Sequence, residues 1–237
     1  MGIKKKLRRK GLFRRTARTV VKVFLYGFLG SLLYIIFCKW IDPPITFTQL
    51  GSLLEGNGLH RDYVKMNEIS ANAKLAVLAG EDQLFPDHNG FDFKSIQKAM
   101  KHNQKSKSLR GASTISQQVA KNVFLWQHGG YFRKGLEVYF TFMIEHVWSK
   151  RRILELYLNV AEMGKGIFGI EAAARHYFKK SAKSLSRKEA AMIASCLPNP
   201  VVFTIRPLSA RVAYRHRWIM RQMNSLQSDP DIRALLQ

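Results

Sequence analysis

The sequence predicts a mainly helical protein, with one long apolar helix near the N-terminus and a helical domain behind it. Three observations carry this expectation. Val23 to Cys38 is a run of sixteen residues without a charge, and it follows a strongly basic start. Beyond Trp40, apolar residues recur mostly at helical spacing. The β-branched alternation that a sheet requires is sparse.

The N-terminal element comes first. Of the 39 Lys and Arg, 11 lie in residues 1–40 beside no acid, which leaves 28 against 16 acids in the remainder. Residues 1–19 form a basic arm containing Lys4, Lys5, Lys6, Arg8, Arg9 and Lys10. Alone, such an arm suits nucleic acid. The segment that follows argues otherwise, and no nucleic-acid partner is expected. Residues 20–40 read VVKVFLYGFLGSLLYIIFCKW, about the 20 residues that cross roughly 30 Å of hydrocarbon. Lys22 lies close enough to the end to snorkel to the headgroups. The positive charge before the span places the N-terminus in the cytoplasm and residues 41–237 outside.

A cleaved signal peptide is the competing reading. Its apolar core is usually shorter, and Phe37-Cys38-Lys39-Trp40 has no small-x-small cleavage pattern. The bulky Phe37 before Cys38 also argues against lipoprotein-type processing. An uncleaved single-pass anchor is therefore expected. The two cysteines, Cys38 in the span and Cys196 in an alanine-rich helical stretch, imply no disulfide framework.

Asp42-Pro43-Pro44 ends the span. Residues 45–67 lack a strong period, and residues 41–68 are expected to be a linker and the entry to a domain over 69–237. Ile69, Ala73, Ala76 and Val77 fall at helical spacing and lead into a polar turn at Glu81. Residues 101–111 are polar and basic and are expected to form a mobile loop. Helices are expected over about 113–122, 133–148, 150–160, 170–178, 186–196 and 209–227. Between the first two lies an apolar, aromatic stretch, residues 123–132, around a Gly-Gly break. Phe124, Leu125, Trp126, Tyr131 and Phe132 in it are either core or a patch that dips into a bilayer.

The chemistry concentrates in residues 81–92, EDQLFPDHNGFD, where one Glu, three Asp and one His crowd beside Pro and Gly. A carboxylate at a helix end, facing a polar turn, is a good general base. The plainer reading of Glu81 is a helix-terminal surface acid. His88 has no partner at metal-ligand spacing, so a hydrogen bond within the turn is the expected role. In residues 111–122, GASTISQQVAKN, Thr114, Gln118 and Lys121 share one helix face, while Ser113 or Thr114 could serve as an N-cap. Arg133 and Glu137 are spaced i, i+4, in the less favourable order for an ordinary surface ion pair. Residues 164–169 read GKGIFG, a literal G-x-G-x-x-G. A helical segment precedes it instead of a strand, which excludes a dinucleotide site.

Glu-Asp-x-x-Phe-x-x-His-x-Gly-Phe-Asp from Glu81, the Gly111–Asn122 segment, Arg-Lys-x-x-Glu at residues 133–137 and Ile-Leu-Glu-x-Tyr-Leu-Asn at residues 153–159 together resemble the peptidoglycan glycosyltransferases. These enzymes polymerise lipid II into glycan strands. The resemblance runs from about Ile69 to Pro200. It implies a lysozyme-like bilobed helical domain, with Glu81 and Glu137 as the catalytic carboxylates. It also implies a substrate-binding set of Asp82, Phe85, His88, Ser113, Thr114, Gln117, Gln118, Lys121, Arg133 and Lys134, in which Lys121 and Arg133 meet phosphate. Phe168 stands where the family often has Tyr.

The implied partners are lipid II, a lipid-linked glycan chain, the phospholipid bilayer of the bacterial inner membrane, and other cell-wall synthesis or division proteins. No cofactor is implied as a requirement, and no residue is assigned to a metal. A divalent cation, Mg2+ or Mn2+, at the pyrophosphate is left open. The alternative activity is a lysozyme-like glycoside hydrolase, which has no use for a phosphate clamp. Ser95-x-x-Lys98 matches a penicillin-binding motif, but its Lys-Thr-Gly partner is missing. A monofunctional enzyme is therefore expected.

Overall fold

The computed structural model describes residues 2–106, 111–127 and 129–237, with side chains from residue 15 onward. It divides into two compact units, Met1–Ile41 and Asp42–Gln237.

The first unit is one helix, α1 (Gly2–Cys38). The basic arm, expected as a separate element, is continuous with the apolar segment in backbone conformation. Lys, Arg and Leu are good helix formers, and no proline precedes Pro43. Within α1, Arg15–Cys38 is long and apolar enough to cross a membrane. Val21, Phe24, Tyr26 and Leu33 point outward and are exposed, which in a helix this apolar suits contact with lipid.

The second unit begins earlier than the sequence suggested. Residues 42–68, expected to be a linker, contain α2 (Phe47–Leu54) and strand β1 (His60–Arg61). Thr46 starts α2 with a reciprocal capping box to Gln49. The helix is short and half exposed, so its apolar period is too brief to stand out in the sequence.

Next come α3 (Ala71–Glu81), α4 (Phe93–Lys105), α5 (Ile115–Phe124), α6 (Tyr131–Val147) and α7 (Lys150–Val160). The expected loop at 101–111 is helical through Lys105, because Asp92 caps a helix that carries on to that point; residues 107–110 lie outside the described residues. A hairpin follows, β2 (Glu162–Gly164) and β3 (Ile167–Phe168), with β3 also pairing in parallel with β1. The G-x-G-x-x-G run is this hairpin. At Gly166, φ is +67° and a Cβ would lie 2.2 Å from the Asn57 carbonyl oxygen, so a side chain cannot fit. The chain closes with α8 (Ile170–Phe178), α9 (Arg187–Cys196), α10 (Ala210–Leu226) and α11 (Pro230–Leu236).

Two helical groups result. Helix α3 is buried all round from Ala73 to Ala79, the pattern of a central core helix, and it packs against α9, α10 and α11. Helix α5 packs against α6 and α7, with α2 laid on it. A cleft of about 1050 Å³ takes its walls from both groups. The domain is thus mainly helical and bilobed, as the lysozyme-like expectation required.

Candidate active site

Helix α3 stops at Glu81 because Asp82 leaves helical geometry, at φ −159° and ψ 86°. The following turn is fastened from several sides. Asp82 accepts a hydrogen bond from the backbone N–H of Ile115 at 2.9 Å, in the first turn of α5, where the helix dipole favours a negative charge. The same carboxylate meets His88 Nε2 at 3.0 Å, while His88 Nδ1 accepts from the Gly90 N–H at 3.2 Å. The ring is therefore the Nε2–H tautomer, donating to Asp82. Thr114 Oγ1 donates to the Gly90 carbonyl at 2.7 Å. Gly90 itself has φ +88°, and a Cβ there would lie 2.7 Å from Thr141 Cγ2. Below the turn, Lys150 donates to Glu145 and to the His88 carbonyl, and Ser116 donates to Glu145.

Glu81 projects into the cleft from this fixed platform, with 11% of its side chain exposed. Its Oε1 accepts from Arg215 Nη2 at 2.7 Å and its Oε2 from Gln118 Nε2 at 3.0 Å. Gln118 in turn accepts from the Tyr157 hydroxyl at 3.2 Å. Burial raises the Glu81 pKa above the ordinary glutamate value. The charge of Arg215 and the hydrogen bond from Gln118 oppose that rise, and Asp82 adds to it. Such a carboxylate binds a proton more readily than a solvated one, as a base working near neutrality should.

Lys121 and Glu137 face the same cleft. Glu137 is nearly buried and accepts from Arg133 Nη1 at 3.0 Å and from Lys134. Lys121 donates to no group among the described residues. Burial lowers its pKa, against the attraction of Glu137. A partly buried ammonium without a partner is suited to binding an anion. Lys121 and Gln118 also border a second, smaller cavity of about 430 Å³, lined by Phe47, Glu55, Trp126 and Glu162 among others.

The expected site residues separate by position. Glu81, Asp82, Ser113, Thr114, Gln117, Gln118, Lys121 and Glu137 line the cleft. Thr114 and Gln117 also form the capping box of α5. Phe85 is fully buried beneath the Lys150 ammonium and is not part of the cleft lining, because its ring is a large apolar surface to remove from water. His88 takes the hydrogen-bonding role within the turn that was expected of it, with both ring nitrogens engaged there, and it is not part of the cleft lining. Arg133 and Lys134 reach the site through Glu137.

Arg215 is the residue that sequence reasoning missed. The signal was present, since Arg211, Tyr214, Arg215 and Trp218 share one face of α10 and all line the cleft. Nothing local links that face to Glu81, 134 positions away.

Among the described residues no three of His, Cys, Asp and Glu converge as a metal site. Glu137 is already paired with Arg133 and Lys134.

Comparison with known proteins agrees with this geometry. The transglycosylase family pattern matches residues 48–224. The biosynthetic peptidoglycan transglycosylase of Mannheimia succiniciproducens is 56% identical over 165 residues, 70% of this chain and 68% of that protein. The protein of the same name from Haemophilus influenzae is 47% identical over 215 residues, 87% of each chain. That from Aeromonas hydrophila is 45% identical over 222 residues, 92% of this chain and 94% of the relative.

Proposed function

We infer, for a chain that belongs to the transglycosylase family, that it is a peptidoglycan glycosyltransferase polymerising lipid II into glycan strands. The observation that carries this reading is a clamped carboxylate, Glu81, sharing one cleft with the unpaired ammonium of Lys121.

The chemistry follows from those two groups. The 4-hydroxyl of GlcNAc on the acceptor lipid II attacks C1 of the donor MurNAc and passes its proton to Glu81. The new C–O bond forms opposite the lipid diphosphate, so the α-linked carbon inverts to β. The old C–O bond breaks with its electron pair on the diphosphate. Negative charge grows on that leaving group, and fixed cations bind the transition state more tightly than the ground state. Lys121 and Arg133 are assigned to this role, with Glu137 positioning Arg133 and Lys134. A hydrolase has no diphosphate to hold, which favours transfer over the lysozyme-like alternative. Any divalent cation would enter as a counterion of the diphosphate, and turnover in the presence of a chelator tests its need.

The substrates carry lipid tails, so the site works at a membrane. Helix α1 is the anchor. The basic arm supports an N-terminus in the cytoplasm and a catalytic domain on the outer face of the inner membrane. The aromatic stretch divides between core and surface. Phe124 and Leu125 are buried, whereas Tyr131 and Phe132 are 98% and 76% exposed and Trp126 is partly so. These residues, and Phe47, Leu50, Leu53 and Leu54 on α2, also exposed, are the apolar groups assigned to the bilayer.

Polymerisation of purified lipid II, compared between wild type and Glu81→Gln, tests the activity. Elongated glycan from the wild type and its near absence in the variant is the expected result. Solubilisation of cell wall without glycan synthesis would instead establish the hydrolase.

A further inference from the structure

Glu81 is held from both sides of the cleft. On one side stands Gln118 of α5, backed by Tyr157 of α7. On the other stands Arg215 of α10, whose Nη2 donates at once to the Glu81 carboxylate at 2.7 Å and to the Gly80 carbonyl at 2.8 Å. Helix α10 comes close at Gly80: a Cβ there would lie 3.2 Å from Ile219 Cδ1, the tip of a flexible side chain, and 3.7 Å from Arg215 Nη2. One turn further along, the Trp218 ring lies 5.7 Å from the guanidinium carbon and seats it by cation–π attraction. The guanidinium is thus fixed by a carbonyl, a ring and a carboxylate.

We infer that Arg215 is a positioning residue for the catalytic base: it orients the Glu81 carboxylate across the cleft from Gln118 and keeps that carboxylate ionised during turnover. The inference rests on Glu81 being the base. Its physical ground is the cost of an ionised carboxylate in a dry site, where an adjacent opposite charge is the main compensation. The charged and titratable groups around Glu81 do not replace it. Asp82 on its own turn repels the charge, and Tyr157 from α7 is fully buried and stays neutral, its pKa pushed well up by burial. Glu137 from α6 is an acid, already paired with Arg133 and Lys134. Arg211 from α10 lines the cleft but makes no ion pair with Glu81. Lys121 from α5 is required by the diphosphate. Among the described residues, Arg215 is the charged side chain in contact with the carboxylate.

The sign of the effect is definite. The base works only when ionised, so activity falls as pH drops through the Glu81 pKa. Arg215 lowers that pKa against the rise caused by burial. Removing the charge therefore moves the acid limb of kcat/KM to higher pH.

The experiment is a pH profile of lipid II polymerisation by the full-length membrane protein, for wild type, Arg215→Gln, Arg215→Lys and Glu81→Gln. Arg215→Gln should raise the acid limb by about 1–3 pH units, the usual effect of an adjacent opposite charge. Arg215→Lys should return the limb toward its wild-type position. Its single nitrogen reaches the carboxylate and the Gly80 carbonyl less well, so kcat should stay below wild type with KM little changed. An unmoved limb in Arg215→Gln, with loss of melting temperature alone or a rise in KM alone, overturns the inference. Where Arg215→Gln does not fold, Arg215→Lys decides: reduced kcat at constant KM supports the positioning role, and wild-type kcat refutes it. Glu81→Gln separates the two readings. If it stays active, the base assignment itself has failed; if it is inactive and the Arg215 limb is unmoved, only the role of Arg215 has failed.

Discussion

Lys121 shows how a single side chain acquires a function from its surroundings. On an isolated helix it would be a solvated cation, but α5 carries it into the cleft, where burial lowers its pKa and no acceptor is bonded to it. The ammonium is charged below its pKa and lost above it. Turnover should therefore show an alkaline limb below the ordinary lysine range, and Lys121→Arg, which stays charged, should move that limb upward. A limb in the same place in both proteins would assign it to another group. Lys121→Ala and Arg133→Ala should each lower turnover by about 10²-fold or more, the scale of one lost transition-state donor, in protein that still folds. Glu81→Gln preserves shape and removes the base, so the loss should be about 10²- to 10⁴-fold, or roughly 3–5 kcal/mol of barrier. Glu137→Gln makes the contrast: should it abolish turnover while Glu81→Gln retains it, the two carboxylates have exchanged roles.

Among the elements, α9 states its own start in the sequence. Ser186 caps it, accepting from the Glu189 N–H, and Glu189 reaches back to the Ser186 N–H at 2.9 Å. Lys180 donates to the same carboxylate at 2.8 Å and, with the Ser186 bonds, holds the Glu189 pKa down to about 2. A depressed carboxylate pKa stabilises the fold above the unfolded value, 4.5, and that contribution is lost as pH falls toward 2. The melting temperature of Glu189→Gln should lie below wild type near neutrality and converge with it in strong acid. Ser186→Ala should cost about 1 kcal/mol, or roughly 2–4 °C in a domain of this size, measurable by thermal denaturation. The helices with long, clean periods, α7 and α8, match their expected bounds, Lys150–Val160 and Ile170–Phe178. Helices α2 and α4 escaped because each exposes one face and buries few apolar residues, although Thr46-x-x-Gln49 and Asp92 mark their starts.

At the scale of the whole molecule, the anchor and the apolar surface of the domain make separate predictions. A reporter fused after Gln237 should be active only outside the cytoplasm; cytoplasmic activity would overturn the orientation and the access to substrate that goes with it. Protein truncated before Ile41 should still bind liposomes through the α2 and Trp126–Phe132 surface, and Trp126→Ser should weaken that binding. Unchanged binding with a lower melting temperature would return Trp126 to the core.

The sequence alone determined the apolar N-terminal span and the helical class, because both are written in local order: an uncharged run and a 3.6-residue period. It also placed Lys121 and Gln118 on one face of α5, since helix geometry maps spacing directly onto direction. Only the tertiary structure decided what those residues meet. It buried Phe85 away from the cleft, and it divided the aromatic stretch, burying Phe124 and Leu125 and leaving Tyr131 and Phe132 outside. It brought Arg215 to Glu81 across 134 positions, through the packing of α10 on α3. Such a contact has no local signature, because the energy that holds it comes from the burial of whole helix faces.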